Sequence, residues 1–186
     1  MNFVSWRTAA PAILIALASC GPRHQPKGGS QVDQRPLTRI GLASDAFADG
    51  QPIPARYACD GAGEAPPLHW GEPPRGTRSF ALVVDDPDAP GGTFGHWGVF
   101  DIPASARSIG GGQRVGAEVT NDFGKPGYGA PCPPKNGGAH HYHFKLFALD
   151  AGTLDLPPAA KVADVENAAT QHALAEGELV GTYERK

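Results

Sequence analysis

The sequence predicts a mostly β domain with one helix near its C-terminus, and three observations carry that prediction. Apolar runs of strand length, such as "FALVV" (Phe80–Val84), stop abruptly at clusters of Asp, Pro and Gly. Twenty-five glycines and nineteen prolines in 186 residues supply many turns and leave room for few long helices. Helical spacing occurs in a single stretch, where Val162, Val165, Ala169 and Ala173 form one stripe and Gly177 offers a stop.

The first twenty residues, "MNFVSWRTAAPAILIALASC", stand apart from the domain. One positive charge (Arg7) precedes an apolar stretch, Ala9–Ala18, that is too short to span a membrane and fits a secretory signal. Small residues directly before Cys20 resemble the bacterial lipobox, in which cleavage precedes the cysteine and lipid is attached to it. Gly21 follows, where an inner-membrane retention signal would place Asp. Removing the segment takes away only Arg7, so the net charge moves from −3 to −4. Residues 21–37, "GPRHQPKGGSQVDQRPL", read as a flexible tether. The folded domain is expected over residues 38–186, a length that suits one core.

Within the domain, Thr38–Phe47 begins the sheet, and Arg78–Asp86 is a buried strand. His96–Pro103 is a second strand ended by proline, and Ala139–Asp150 is the longest. The helix is expected over Val162–Gly177 and a last short strand over Glu178–Arg185. In the longest strand, alternation puts His140, Tyr142, Phe144, Leu146 and Ala148 on one face, which should meet the core. His140 and Tyr142 then sit half-buried at its rim. The opposite face carries His141, His143 and Lys145. Two histidines without a third ligand read as a solvated polar face rather than a metal site.

The stretch "DDPDAPGGTFGHWGVF" (Asp85–Phe100) is too dense in acids, prolines and glycines to be only a strand connection. Asp88 is placed to cap the turn, and a buried aspartate here could orient a histidine such as His96. No Gly-x-Ser-x-Gly elbow, His-Glu-x-x-His helix or phosphate loop occurs. What remains is carboxylate, imidazole, phenol and glycine amides, a set able to donate to an anionic oxygen. The absence of any basic run argues against nucleic acid. With Cys20 assigned to lipid, Cys59 and Cys132 could form a disulfide in an oxidising compartment; two inert thiols or a thiol nucleophile are the alternatives.

"DPDAP" (Asp86–Pro90), "GHW" (Gly95–Trp97) and "GYGAPCPPKNGGAHHYHF" (Gly127–Phe144) together resemble the phosphatidylethanolamine-binding protein (PEBP) family, in particular its bacterial Raf-kinase-inhibitor-like branch. "IPARYACDGAGEAPPLHW" (Ile53–Trp70), "PRGTRSFAL" (Pro74–Leu82) and "ALAEGELVGTYER" extend the likeness over about Thr38 to Arg185. The resemblance implies a central antiparallel β-sheet packed on a smaller sheet, with a C-terminal helix. It also implies a small anion pocket for phosphate, acetate or phospholipid head groups. By position, the resemblance assigns to that pocket Asp86, His96, His140 and Tyr142, with Pro133 and Pro134 beside it and Gly129 nearby. It places Cys59 and Cys132 in two segments flanking the pocket, which favours their pairing. His141 stands where arginine is usual. Gly95 replaces a bulkier residue, from which a more open pocket mouth is expected.

The function expected on these grounds is a binding module without metal or cofactor, held to the cell envelope by lipid. Its ligand would be a small anionic or phosphorylated molecule. The alternative is a regulator of a protein partner, such as inhibition of an envelope protease. A hydrolase is the weakest reading, since no nucleophile accompanies the Asp–His set.

Overall fold

The computed structural model describes residues 37–186 together with Met1; the signal segment, Cys20 and residues 21–36 of the tether (21–37) lie outside the described residues. Residues 37–186 lie in one compact unit. Its strands are β1 (Thr38–Arg39), β2 (Leu42–Ser44), β3 (Gln51–Pro52), β4 (Leu68–Trp70), β5 (Ser79–Asp86), β6 (Phe94–Pro103), β7 (Ser108–Ile109), β8 (Ala117–Glu118), β9 (His140–Leu149) and β10 (Ala173–Tyr183), with helix α1 (Val162–His172) before the last.

Seven strands make the large sheet, in the order β1-β10-β9-β5-β6-β8, with β3 also on β10. The central pairs are antiparallel, whereas β1 and β3 add to β10 in parallel. β2, β4 and β7 form the small sheet. This is the mostly β, two-sheet architecture with one helix near the C-terminus. The segment Thr38–Phe47 is divided between the sheets, β1 joining the large one and β2 the small one.

Both faces of the large sheet are covered, so all eight residues of β5 are buried. Toward the small sheet, Phe80, Leu82, Val84, Phe144, Leu146, Trp97 and Val99 pack with Leu42, Leu68 and Trp70. Toward the helix, Ala81, Val83, Phe147 and Leu149 pack with Val162, Val165 and Ala169. The expected alternation of β9 holds, but Tyr142 and His140 are fully buried rather than half-buried, at 0% and 6% exposure. The polar face of β9 becomes apolar at Phe147 because α1 covers that end. Lys145 Nζ donates to Asp85 (2.7 Å) and to Glu166 (2.8 Å), tying β9, β5 and α1 together.

The helix ends at His172, five residues before the predicted Gly177. From Ala173 the chain alternates, burying Ala175, Gly177, Leu179 and Gly181, so period-two burial overrides the helical stripe. Gly177 is needed in this strand for close approach: a Cβ there would lie 2.4 Å from the Ile40 carbonyl oxygen.

Glycines also let α1 lie close to β6. A Cβ on Gly95 would stand 2.6 Å from Val162 Cβ, and one on Gly98 2.6 Å from Val119 Cγ2. Gly95→Ala should therefore cost about 1–3 kcal/mol in urea denaturation. Gly91→Ala, with open space around it and ordinary backbone, should be neutral or slightly stabilising. Equal stabilities for the two variants would refute this account of the helix seat.

Candidate functional site

A cavity of about 210 Å³ opens where the C-terminal end of β5, the start of β6 and the start of β9 meet. Its lining includes Asp86, His96, His140, Tyr142, Pro133 and Pro134. Six of the seven pocket residues assigned from sequence thus meet in one place. The seventh, Gly129, is one step behind the wall.

Asp86 reaches the cavity because it shares the small-sheet face of β5 with Phe80, Leu82 and Val84. Both of its carboxylate oxygens are engaged. Oδ1 accepts the Asp88 backbone N–H at 2.9 Å, and Oδ2 accepts Nδ1–H of His140 at 2.8 Å. The turn is therefore capped by Asp86, not by Asp88. Asp88 reaches across to β9, accepting the backbone N–H (2.9 Å) and Nδ1–H (2.7 Å) of His141. His141 is exposed on the opposite face from His140, and His143 pairs with Glu178 at 2.7 Å.

His96 faces the cavity through a break in strand alternation. Val84 pairs with Trp97 and Asp85 with Gly95, so His96 is an extra residue in β6. This β-bulge puts His96 and Trp97 on the same side of the sheet. Trp97 enters the core and donates Nε1–H to Glu118 at 2.9 Å. The orienting partner of His96 is not an aspartate but Gly129. His96 Nδ1 donates to the Gly129 carbonyl at 2.7 Å, while the Gly129 N–H donates to the His96 carbonyl at 2.7 Å. A carbonyl only accepts, so Nδ1 carries the proton and Nε2 presents a lone pair. Burial lowers the pKa of His96, and the hydrogen bond to the Gly129 carbonyl and then the nearby carboxylates of Asp86, Asp122 and Asp85 only partly oppose this.

Tyr142 lines the cavity, and its buried hydroxyl makes no hydrogen bond of good geometry. Burial first, and then the Asp86 carboxylate, push its pKa far above the ordinary range, so it is a neutral phenol. A buried donor without a partner is costly, by about 1–3 kcal/mol.

The walls were only partly legible. Phe94 and Phe123 line the cavity and pack edge-on against His96, with ring centroids 5.2 and 5.3 Å away. Phe123 is 46% exposed. Asn121 shapes the loop that carries it: its Oδ1 accepts the N–H groups of Phe123 and Lys125, and its Nδ2 donates to the Gly127 carbonyl. The Asn-Asp-x-Gly order in "TNDFG" was the available signal. Gly95 does not widen the mouth. It points at Val162 on the opposite side of the sheet, where any larger residue would clash. Cys59 and Cys132 form a disulfide, and Cys132 lines the cavity beside Pro133. The same segment is held by the Cys59 N–H to the Pro131 carbonyl (3.0 Å) and by the Asn136 N–H to the Arg185 carbonyl (2.9 Å).

A family model described as phosphatidylethanolamine-binding protein matches residues 43–184. A UPF0098 protein of Aquifex aeolicus is 45% identical, covering 76% of this chain and 86% of its own. A Mycobacterium tuberculosis protein named "Putative lipoprotein LppC" is 42% identical, covering 95% of this chain and 94% of its own. Among solved structures, that of Escherichia coli YbcL, titled a new member of the mammalian PEBP family, superposes with a TM-score of 0.75. It is 31% identical and covers 80% of this chain and all of that one.

The state of His96 has a measurable consequence. Unfolded, it titrates near the ordinary value of 6.5; folded, its pKa is lower. Below pH 6.5 the unfolded chain binds a proton that the native one refuses. Stability should thus fall as pH drops from 6.5 toward the depressed native value, by up to about 1.4 kcal/mol per pH unit. Denaturation curves for the wild type and His96→Gln should diverge in this window, the variant having the shallower dependence. Parallel curves would show that His96 is not the group held neutral.

Proposed function

The chain belongs to the phosphatidylethanolamine-binding protein family, and on that premise we propose that it is an exported, lipid-anchored binding protein whose cavity takes a small anionic or phosphoryl ligand. Phospholipid head groups are one source of such a ligand. The observation that carries this reading is the convergence of an unpartnered buried phenol with His96 and the Asp86–His140 pair in one cavity. An oxygen anion placed there meets the Nε2 edges of His96 and His140, with the Tyr142 hydroxyl buried behind them beside the Asp86 carboxylate. The prolines and the disulfide fix the wall before binding, which lowers the ordering cost of association.

The reading is of a binder rather than an enzyme. Covalent catalysis needs an activated nucleophile. In this cavity the Cys132 sulfur is committed to a disulfide, and the Tyr142 phenol is driven away from its anionic form.

Lipid anchoring at Cys20 is supported by the relative named "Putative lipoprotein LppC". Its match covers 95% of the 186 residues, a share that takes in position 20. Among the described residues, no helix is long and apolar enough to cross a membrane.

Two measurements test these parts separately. Titration with phosphate and O-phosphoethanolamine, followed by NMR of the histidine rings, should shift His96 and His140 together and saturably. His140→Ala should weaken binding at least tenfold. An absence of shifts up to millimolar ligand would remove the binding reading. For the anchor, radiolabelled palmitate should be incorporated by the wild type and not by Cys20→Ala; equal labelling of the two would remove it.

A further inference from the structure

We infer that a second cavity, at the edge where the two sheets part, binds a short zwitterionic peptide with an apolar side chain. It is separate from the cavity described above and does not depend on the function proposed for that one.

This cavity measures about 490 Å³, more than twice the 210 Å³ of the first. It is bounded by Glu118 of β8, the last strand of the large sheet, and by the loop that reaches β8 from β7, the last strand of the small one. Its floor is aromatic, with the Trp97 and Tyr128 rings edge-on and their centroids 5.6 Å apart. Both rings are fixed by their polar atoms. Trp97 Nε1–H donates to Glu118 at 2.9 Å, and the Tyr128 hydroxyl donates to the Tyr57 carbonyl at 3.0 Å. Trp97 follows His96 in the chain and Tyr128 precedes Gly129, so the two cavities back onto each other.

Four charged side chains line the second cavity, and they are not equivalent. Arg56 and Glu64 satisfy each other, with contacts of 2.8 and 2.7 Å. Arg114 and Glu118 are left over. Among the described residues Arg114 has no ion pair and no side-chain hydrogen bond, and Glu118 holds only the neutral indole N–H. The cavity therefore presents one cation and one carboxylate, each without a charge partner. A ligand of a single sign compensates one and leaves the other.

A zwitterion meets both, with its carboxylate on the Arg114 guanidinium and its ammonium on Glu118. Gln113 also lines the cavity, and among the described residues its side-chain amide is unbonded. That amide offers a donor and an acceptor together, as a peptide group requires and a free amino acid does not. An apolar side chain then covers the two rings of the floor.

The rim has its shape before a ligand arrives, which lowers the ordering cost of binding. Gly110, with a left-handed backbone (φ 89°), lies too close to the Pro66 carbonyl for any larger residue. The Gly111 N–H donates to the Ala65 carbonyl at 3.2 Å and the Gln113 N–H to the Gly110 carbonyl at 3.1 Å. Val115 packs on the core, and Glu118 pairs with Val99 of β6, so Gln113 and Arg114 extend from an anchored backbone.

Calorimetric titration of the intact protein with leucyl-leucine, N-acetyl-leucyl-leucine and leucyl-leucine amide tests this site. The second peptide lacks the ammonium and the third the carboxylate. At pH 7 leucyl-leucine should bind saturably and shift the NMR signal of the Trp97 indole N–H. Each blocked peptide should bind more weakly by about fivefold or more. Arg114→Gln should lower leucyl-leucine to the level of its amide. Glu118→Gln, which keeps an acceptor for Trp97, should lower it to the level of the acetylated form. Excess phosphate should not displace it. Equal binding of the three peptides would overturn the pairing with Arg114 and Glu118. Displacement by phosphate would move the peptide to the first cavity, and no binding at millimolar peptide would remove the site; either result overturns the proposal and leaves the anion-binding reading to its own test.

Discussion

The extra residue in β6 is the constraint on which the site depends. In an unbroken strand, His96 and Trp97 would point to opposite faces. The bulge brings both to the small-sheet side, so one segment supplies a core tryptophan and a cavity histidine. Gly95 and Gly98 then fall on the other side, where α1 needs space. A one-residue change in register would break three things at once: the tryptophan's bond to Glu118, the grip of Gly129 on His96, and the seat of the helix.

The rest of the pocket is fixed by groups that each make more than one bond. Asp86 spends one oxygen on its own turn and the other on His140. Asn121 holds three backbone groups and so presents Phe123. The proline wall is tied to the Tyr57–Cys59 region by the disulfide and to the chain's end by Asn136 and Arg185. Arg185 in turn pairs with Asp60, next to Cys59, at 3.0 Å. These ties join segments distant in sequence, so the shape of the cavity is a property of the whole domain.

Much of this was legible in the sequence, and the reasons differ by element. The three long strands showed themselves because burial imposes a period that apolar residues must follow, and the alternation of β9 placed His140 and Tyr142 inward. The pocket residues came from the resemblance, since no spacing rule joins Asp86 to His140 across 54 positions. The misplaced end of α1 has a physical cause. Alanine and glycine in "ALAEG" satisfy a helical stripe and a strand crossing equally well, and only the neighbouring Ile40 carbonyl decides between them. The bulge at His96 was hidden for a related reason: it is defined by the partner strand. Gly95 was misjudged because its neighbour across the sheet, Val162, is 67 positions away.

The cavity is unusual as a receptor for anions because no lysine or arginine is among its described lining residues, whereas Asp86 is. The chain itself is net negative. Affinity must then come from hydrogen bonds in a desolvated site rather than from opposite charge, and long-range attraction cannot steer the ligand in. Under these conditions each negative charge on the ligand carries a cost beside Asp86 that grows as water is excluded. A dianion meets that cost twice and a monoanion once. A ligand that keeps one proton carries less of that cost, so the electrostatics of the site favour its singly charged form.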